Sequence, residues 1–220
     1  MLTITEVYNN IPGREGFTPD WGFSCYIHEA ELLFDTGAKG DILLSNMRAL
    51  GILPADIKSL VISHDHWDHT GGLGALLAEN SAMEVFVHSG FSRETLGLIR
   101  NYTTPIIVED WMEIEPGIAT TGPLGTDILE QSLAVDVPGG LLIITGCAHP
   151  HVSRIIDRVS REGPVWGVIG GLHTVTDEDI DALEGLAYVS ASHCTDKIRE
   201  IADRYPETFR PGGLGAVHRL

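Results

Sequence analysis

Ten consecutive residues constrain this chain more than any others: Ser63-His64-Asp65-His66-Trp67-Asp68-His69-Thr70-Gly71-Gly72. Three imidazoles and two carboxylates crowd into the six positions from His64 to His69. The apolar run Ile57 to Ile62 before them reads as a buried strand. A small-residue pattern carrying Leu73, Leu76 and Leu77 follows and reads as a helix beginning near Thr70. The cluster is therefore expected on a turn at the C-terminal end of a strand, where open α/β sheets place their ligands. Neutral imidazoles and carboxylates suit zinc, iron and manganese. The competing reading is a histidine-rich surface turn. Such turns seldom stack His-x-His-x-Asp-His behind a buried strand, so metal binding is the expectation.

His64-x-His66-x-Asp68-His69 followed by Gly71-Gly72 resembles the signature of the metallo-β-lactamase fold superfamily. Later landmarks match in order, so the resemblance covers nearly the whole chain. It implies an α/β fold, a four-layer αβ/βα sandwich of the metallo-β-lactamase type. It also implies a single domain over residues 1–220 and one or two metals between the sheets. Zinc is the expected ion, with iron or manganese as substitutes. Gly146-Cys147-Ala148-His149, Ile169-Gly170-Gly171-Leu172-His173 and Ser192-His193-Cys194-Thr195 further resemble one subgroup, that of dihydropterin-ribofuranosylaminobenzene-phosphate synthase.

Charge narrows the partners. The chain has 31 acidic residues against 14 Lys and Arg, a formal net charge of −17. A surface of that sign repels nucleic acid and anionic membranes, because phosphate binding relies on Lys and Arg. A small-molecule substrate is expected instead, and the sequence leaves room for a homo-oligomer. The first residues lack a basic segment followed by an apolar core, so no signal peptide is expected. No apolar run approaches the ~20 residues of a membrane span. Three cysteines without CxxC spacing fit a reducing compartment, and the expected location is cytoplasmic.

Further elements follow from pattern. Leu2 to Val7 alternates as a first strand, and Phe23 to His28 with Leu32 to Phe34 reads as a hairpin. The resemblance implies that the polar loop Asn9 to Trp21 between them offers Phe17 and Trp21 as a hydrophobic wall for substrate, and an ordinary surface connection is the competing reading. Asp35-Thr36-Gly37 reads as an Asx-type turn. The resemblance adds that Asp35 orients the histidine turn from behind it. Phe91 to Asn101 reads as a helix. Pro105 to Val108, Met112 to Ile114, Gly117 to Thr121 and Ser132 to Val137 read as successive strands of a second sheet. Asp196 to Arg204 is expected to be helical, with Cys194 and Thr195 at its N-terminus offering N–H groups to an anion. Phe209 to Leu220 reads as a closing strand. His28, His88, His151 and His218 are expected to be structural or exposed.

Three more buried strands end in a histidine turn. Leu141 to Ile144 leads into His149, which the resemblance makes a metal ligand, with Cys147 packing beneath it. Val165 to Ile169 leads into His173. Superfamily hydrolases often carry a metal-bridging aspartate at this point, and an imidazole nitrogen cannot bridge two metals as a carboxylate does. His173 is expected in the site, as a ligand or as the group that orients substrate or protonates the leaving group. Tyr188 to Ala191 leads into His193, the last ligand that the resemblance implies.

His64, His66 and His149 would then form a three-nitrogen site open to water, and Asp68, His69 and His193 a second site. The expected chemistry is attack by metal-bound hydroxide on an ester, lactone or phosphoester, with Asp68 and His173 as catalytic residues. Two alternatives stand beside it. One is a pterin-condensing transferase of methanopterin-type cofactor synthesis, and the other is a metal-binding protein without turnover.

Overall fold

The structure is a computed structural model and describes residues 1–13 and 15–220. Its chain divides into two compact units, Met1–Glu109 with Gly213–Leu220 and Asp110–Gly212. Each unit is a mixed sheet with helices packed on it.

The first unit opens with β1 (Thr3–Asn9), β2 (Phe23–Ile27) and β3 (Leu32–Phe34), an antiparallel set in which a long loop precedes β2 and a short turn precedes β3. From β3 onward the pairing becomes parallel, through β4 (Ser59–Val61), β5 (Glu84–His88) and β6 (Pro105–Val108). Parallel neighbours need crossovers, and helices supply them. These are α1 (Gly40–Leu50), α2 (Trp67–Thr70), α3 (Leu73–Glu79) and α4 (Arg93–Arg100). Leu43 and Met47 of α1 and Leu73, Leu76 and Leu77 of α3 bury against Leu33, Leu60, Ile62, Val85 and Val87. Strands covered in this way read as largely apolar runs, and the stretch Ile57 to Ile62, interrupted only by Lys58 and Ser59, contains β4.

Two expectations are corrected here. Helix begins at Trp67, inside the histidine motif, and breaks before α3. At the break the Gly72 N–H leaves the helical pattern and donates to the Gly37 carbonyl oxygen at 3.2 Å, where the backbones pack closely. A Cβ at Gly71 would lie 2.0 Å from the Ala38 carbonyl oxygen, and one at Gly72 would lie 2.3 Å from that of Thr36. The bare backbone is what seats the motif on the segment after β3. Pro105 to Val108 belongs to the first sheet, not the second, because it pairs in parallel with β5. An apolar strand carries no sheet label of its own. The cue was α4 immediately before it, since a strand–helix–strand unit returns the chain to the same sheet.

The second unit starts with the antiparallel strands β7 (Met112–Glu115), β8 (Ile118–Thr120), β9 (Leu133–Val137) and β10 (Gly140–Thr145). It continues in parallel through β11 (Val165–Gly171) and β12 (Tyr188–Ser192), giving the order β12-β11-β10-β9-β8-β7. The helices are α5 (Val152–Val159), α6 (Asp177–Ala182) and α7 (Ile198–Arg204). Ile155, Val159, Ile180, Leu183 and Ile201 bury against Ile143, Val168 and Val189. The tail is mostly irregular. Only β13 (Val217–Arg219) is strand, and it pairs with the outer side of β1, so the first sheet runs β13-β1-β2-β3-β4-β5-β6. Among the described residues no helix is long and apolar enough to cross a membrane.

Asp179 ties α6 to α5. It forms a capping box with Thr176, and it also accepts from the Ser153 hydroxyl at 2.9 Å and pairs with His151 at 2.9 Å. Burial works to raise its pKa. The Thr176, Ser153 and His151 bonds together outweigh burial and hold the pKa at about 2, below the ordinary 3.8. A depressed carboxylate stabilises the fold above its unfolded pKa and loses that contribution as pH falls through the folded value. The contribution is therefore complete above about pH 5 and fades between about pH 4 and pH 2. Asp179→Ala is expected to cost about 2–3 kcal/mol in urea denaturation at pH 7. Wild type and variant should converge in stability as the pH approaches 2.

Candidate functional site

In the first unit the histidine turn follows β4 and is fixed from below by Asp35, which is fully buried one residue past β3. Asp35 Oδ1 accepts from the Ser63 N–H at 2.7 Å, and Oδ2 accepts from the Ser63 hydroxyl at 2.8 Å. His69 Nδ1 lies 2.7 Å from Oδ2. Burial raises the Asp35 pKa, while His69 and Ser63 work to lower it. A carboxylate on Nδ1 sets the tautomer and aims His69 Nε2 away from Asp35, the arrangement that prepares an imidazole to bind a metal. Asp35 is thus bonded both to His69 and to Ser63, and the reach to Ser63 carries no signal in the sequence.

His64, His66, Asp68 and His69 converge. His64 Nε2 and His66 Nδ1 are 3.1 Å apart, the His64 and His69 ring centroids 4.2 Å apart, and His69 Nε2 lies 3.8 Å from Asp68 Oδ2. Two nitrogens on one tetrahedral zinc, each at about 2.0–2.1 Å, are about 3.3 Å apart. The His64–His66 spacing is close to that edge length, and the donor set is the mixed nitrogen and carboxylate chemistry that zinc, iron and manganese share. The residues present fit a divalent metal.

Neighbouring residues brace this group. Trp21 Nε1 donates to Asp68 Oδ2 at 2.9 Å, so the indole positions a carboxylate of the cluster, a contact that the expected hydrophobic wall did not anticipate. Asp65 accepts from Ser92 N–H and Thr95 Oγ1 and fixes the start of α4. His88 is buried, with Nε2 3.2 Å from the Ser63 carbonyl oxygen, and packs under the turn. Beside the turn opens a cleft of about 1010 Å³ lined by Asp65, Trp67, Thr70, Arg93, Thr95 and Asn101. Trp67 is 61% exposed there, so an aromatic face is available to solvent.

In the second unit the decisive residue is one that sequence reading missed. Glu130 is fully buried beneath the turn after β10. Its Oε1 accepts from Thr145 Oγ1 (3.1 Å) and from the N–H groups of Gly146 (3.1 Å), Cys147 (2.9 Å) and Ala148 (3.0 Å). Its Oε2 accepts from the His149 N–H at 2.9 Å. Successive amides turned toward one anion form a nest, here filled by the protein's own side chain. The available cue was an isolated acidic residue in Ile128-Leu129-Glu130-Gln131-Ser132-Leu133, directly before a buried strand.

The same edge carries His173, Cys194 and His193. The His149 and His173 ring centroids are 4.6 Å apart. Cys194 Sγ lies 3.2 Å from Cys147 Sγ, and Cys147 is buried. The Cys194 thiol is pulled down to about 7, first by the Cys147 hydrogen bond and then by His173, against burial. Ala148, His173 and His193 all have positive φ, at 55°, 49° and 51°. Non-glycine residues in that region carry strain that tends to collect at functional sites. The anion-binding expectation for Cys194 and Thr195 is corrected. Helix α7 starts at Ile198, the Thr195 N–H is given to the Ser192 carbonyl oxygen, and the Asp196 N–H is given to that of His173. Those bonds hold the β11 and β12 turns together. His151 stands just before α5 and pairs with Asp179, and His218 pairs with buried Glu6, so both are structural.

Residues 26–161 match the family model for the metallo-beta-lactamase superfamily. A 7,8-dihydropterin-6-methyl-4-(beta-D-ribofuranosyl)-aminobenzene-5'-phosphate synthase of Methanocaldococcus jannaschii is 27% identical over 74% of this chain and 75% of its own length. An N-acyl homoserine lactonase of Azorhizobium caulinodans is 41% identical, over only 24% of this chain and 19% of its own. The crystal structure of a metal-dependent hydrolase of the beta-lactamase superfamily aligns with a TM-score of 0.83 and 26% identity, covering 100% of this chain and 99% of that one. A metallo-beta-lactamase fold protein from Bacillus subtilis aligns with a TM-score of 0.70 over 99% and 98% of the two chains, at 14% identity, a likeness of fold alone.

Proposed function

The chain belongs to the metallo-β-lactamase superfamily, and from that premise we propose that it is a metal-dependent hydrolase of an ester, lactone or phosphoester. The observation that carries this reading is the convergent group His64, His66, Asp68 and His69 with Asp35 bonded to His69 Nδ1. The proposed ligands are those four with His149 and His193, and zinc is the proposed ion, with iron or manganese able to take its place. When bound, such a metal supplies Lewis acidity and brings the pKa of a water toward neutrality.

The chain's own residues do the rest. Asp35 keeps the proton of His69 on Nδ1, and Trp21 orients the Asp68 carboxylate, which we assign to metal binding and to accepting the proton of the attacking water. The cleft beside the turn offers the Trp67 ring and the Arg93 guanidinium to the organic part of a small substrate. A net charge of −17 favours such a substrate over nucleic acid.

A second reading has its own support, since the synthase of Methanocaldococcus jannaschii is related along three quarters of its length. On that reading the same residues serve a transferase that condenses a pterin diphosphate with a ribofuranosylaminobenzene phosphate. A panel of nitrophenyl phosphodiester, ester and lactone substrates decides between them. The hydrolase reading expects turnover that His66→Ala reduces by more than about 100-fold, since losing a direct ligand exceeds the about 10–100-fold cost of losing its support. Metal content should fall with it. Unchanged turnover and metal content in His66→Ala would sink the hydrolase reading. Condensation of the pterin pair without hydrolysis of the panel would favour the transferase.

A further inference from the structure

We propose that Cys147, His173 and Cys194 form a thiolate-bearing metal site of their own, suited to a zinc-class divalent cation and held entirely within the second unit. The topology brings these three together. Strands β10, β11 and β12 lie side by side and parallel, so their C-terminal ends share one sheet edge. Cys147, His173 and Cys194 each stand two residues past the end of one of those strands. The central strand contributes the imidazole, and its two neighbours contribute the sulfurs. One ligand atom from each lies within 4.8 Å of the other two.

Every one of the three turns is fixed by bonds that do not involve the ligand atoms. Glu130 holds the Cys147 N–H. The Leu172 N–H donates to Thr195 Oγ1 at 2.9 Å, and the Val175 N–H donates to Asp196 Oδ1 at 3.0 Å, locking the β11 turn to the β12 turn. Room for the sulfur is made by Gly171, where a Cβ would sit 2.9 Å from Cys194 Sγ and 2.3 Å from the Gly146 carbonyl oxygen. A side chain there would displace the Cys194 sulfur.

The chemistry is that of a Cys2His set. Thiolates with an imidazole select zinc and its softer neighbours over magnesium or calcium, and three protein ligands leave one tetrahedral position open. Two thiolates on one zinc at about 2.3 Å are about 3.8 Å apart. The observed 3.2 Å requires the sulfurs to separate by roughly half an ångström, a small side-chain rotation. A disulfide demands the reverse, closure to about 2.05 Å, and leaves the imidazole without a part. A nitrogen that binds metal cannot also deliver a proton, so the proposal gives His173 a ligand role in place of the acid role considered from the sequence. It stands independently of the hydrolase reading.

The test is cobalt titration of protein stripped by a chelator and kept reduced with a phosphine. Wild type should develop the near-ultraviolet thiolate-to-cobalt charge-transfer band, bleached by competing zinc. His66→Ala should keep that band, which separates this site from the proposed hydrolytic one. Cys194→Ser should lose at least half of its intensity, and Cys147→Ser with Cys194→Ser should lose all of it and bind one equivalent less metal. His173→Asn, at an exposed position, should keep a thiolate band with cobalt affinity reduced by at least about 10-fold. The proposal is overturned if wild type shows no band or if Cys194→Ser keeps it whole. It is equally overturned if air, with oxygen as the two-electron acceptor, joins the two sulfurs in wild type while the double variant retains full metal capacity.

Discussion

Glu130→Ala, outside the proposed metal ligands, is expected to destabilise the protein by about 3–5 kcal/mol. The size follows from what the alanine leaves behind. Five donors, four of them backbone amides, face a carboxylate with no exposure to solvent. Removing the acceptor strands those donors in a site with no exposure to solvent, and each orphaned amide carries its own desolvation cost. Glu130→Gln separates charge from shape. It keeps an oxygen for part of the nest but turns an amide NH2 toward at least one N–H, so about 1.5–3 kcal/mol is expected. Urea denaturation of the three proteins measures the series. If Glu130→Ala loses less than 1 kcal/mol (about one neutral hydrogen bond), the nest is not the brace described above. Because the His149 N–H is one of the five donors, zinc affinity should fall in both variants as well.

Asp35→Asn should produce the complementary result, a modest loss of stability with a large loss of metal affinity. Asparagine keeps a carbonyl oxygen for the Ser63 N–H but must present its NH2 to His69 Nδ1. A donor there reverses the imidazole tautomer and moves the ring proton to Nε2, the nitrogen that a metal needs bare. Zinc affinity in a chelator competition is expected to fall by about 10–100-fold. Asp35→Ala should match that fall and in addition lose about 3 kcal/mol of stability, because Ser63 and His69 are left without their buried acceptor. Equal zinc affinity in wild type and Asp35→Asn would show that the aspartate does not set the tautomer.

How much of this was legible from the chain alone depends on the range of the interaction. His64, His66, Asp68 and His69 lie within six residues behind an apolar strand, so a local pattern exposes them. His149, His173 and His193 each follow a buried run, and the repetition of that pattern made them visible. Asp35 was found through a turn motif and a family likeness. Neither Glu130 nor the bond from Trp21 to Asp68 is marked locally, because the partners lie 15 to 19 and 47 residues away in sequence and nothing periodic signals them. Pro105 to Val108 shows the same limit for the fold. Its strand character is local, but its choice of sheet depends on pairing with β5. The pairing of Cys147 with Cys194 was hidden for a further reason, since it depends on a glycine at 171 that leaves space rather than making a contact.

One consequence of the two buried carboxylates concerns order of events during maturation. Where a metal is the only thing holding its ligand loops, as in zinc fingers, the empty chain is unfolded and loading is inseparable from folding. Here the anions that shape the histidine turns after β4 and β10 are encoded in the polypeptide and arrive with it. The loops can be complete before any ion is present, so on the proposed metal-binding reading ions would enter and leave by simple mass action on a finished protein. Exchange of one divalent cation for another then needs no refolding. The ion carried by the purified protein would record the supply in the cell that made it.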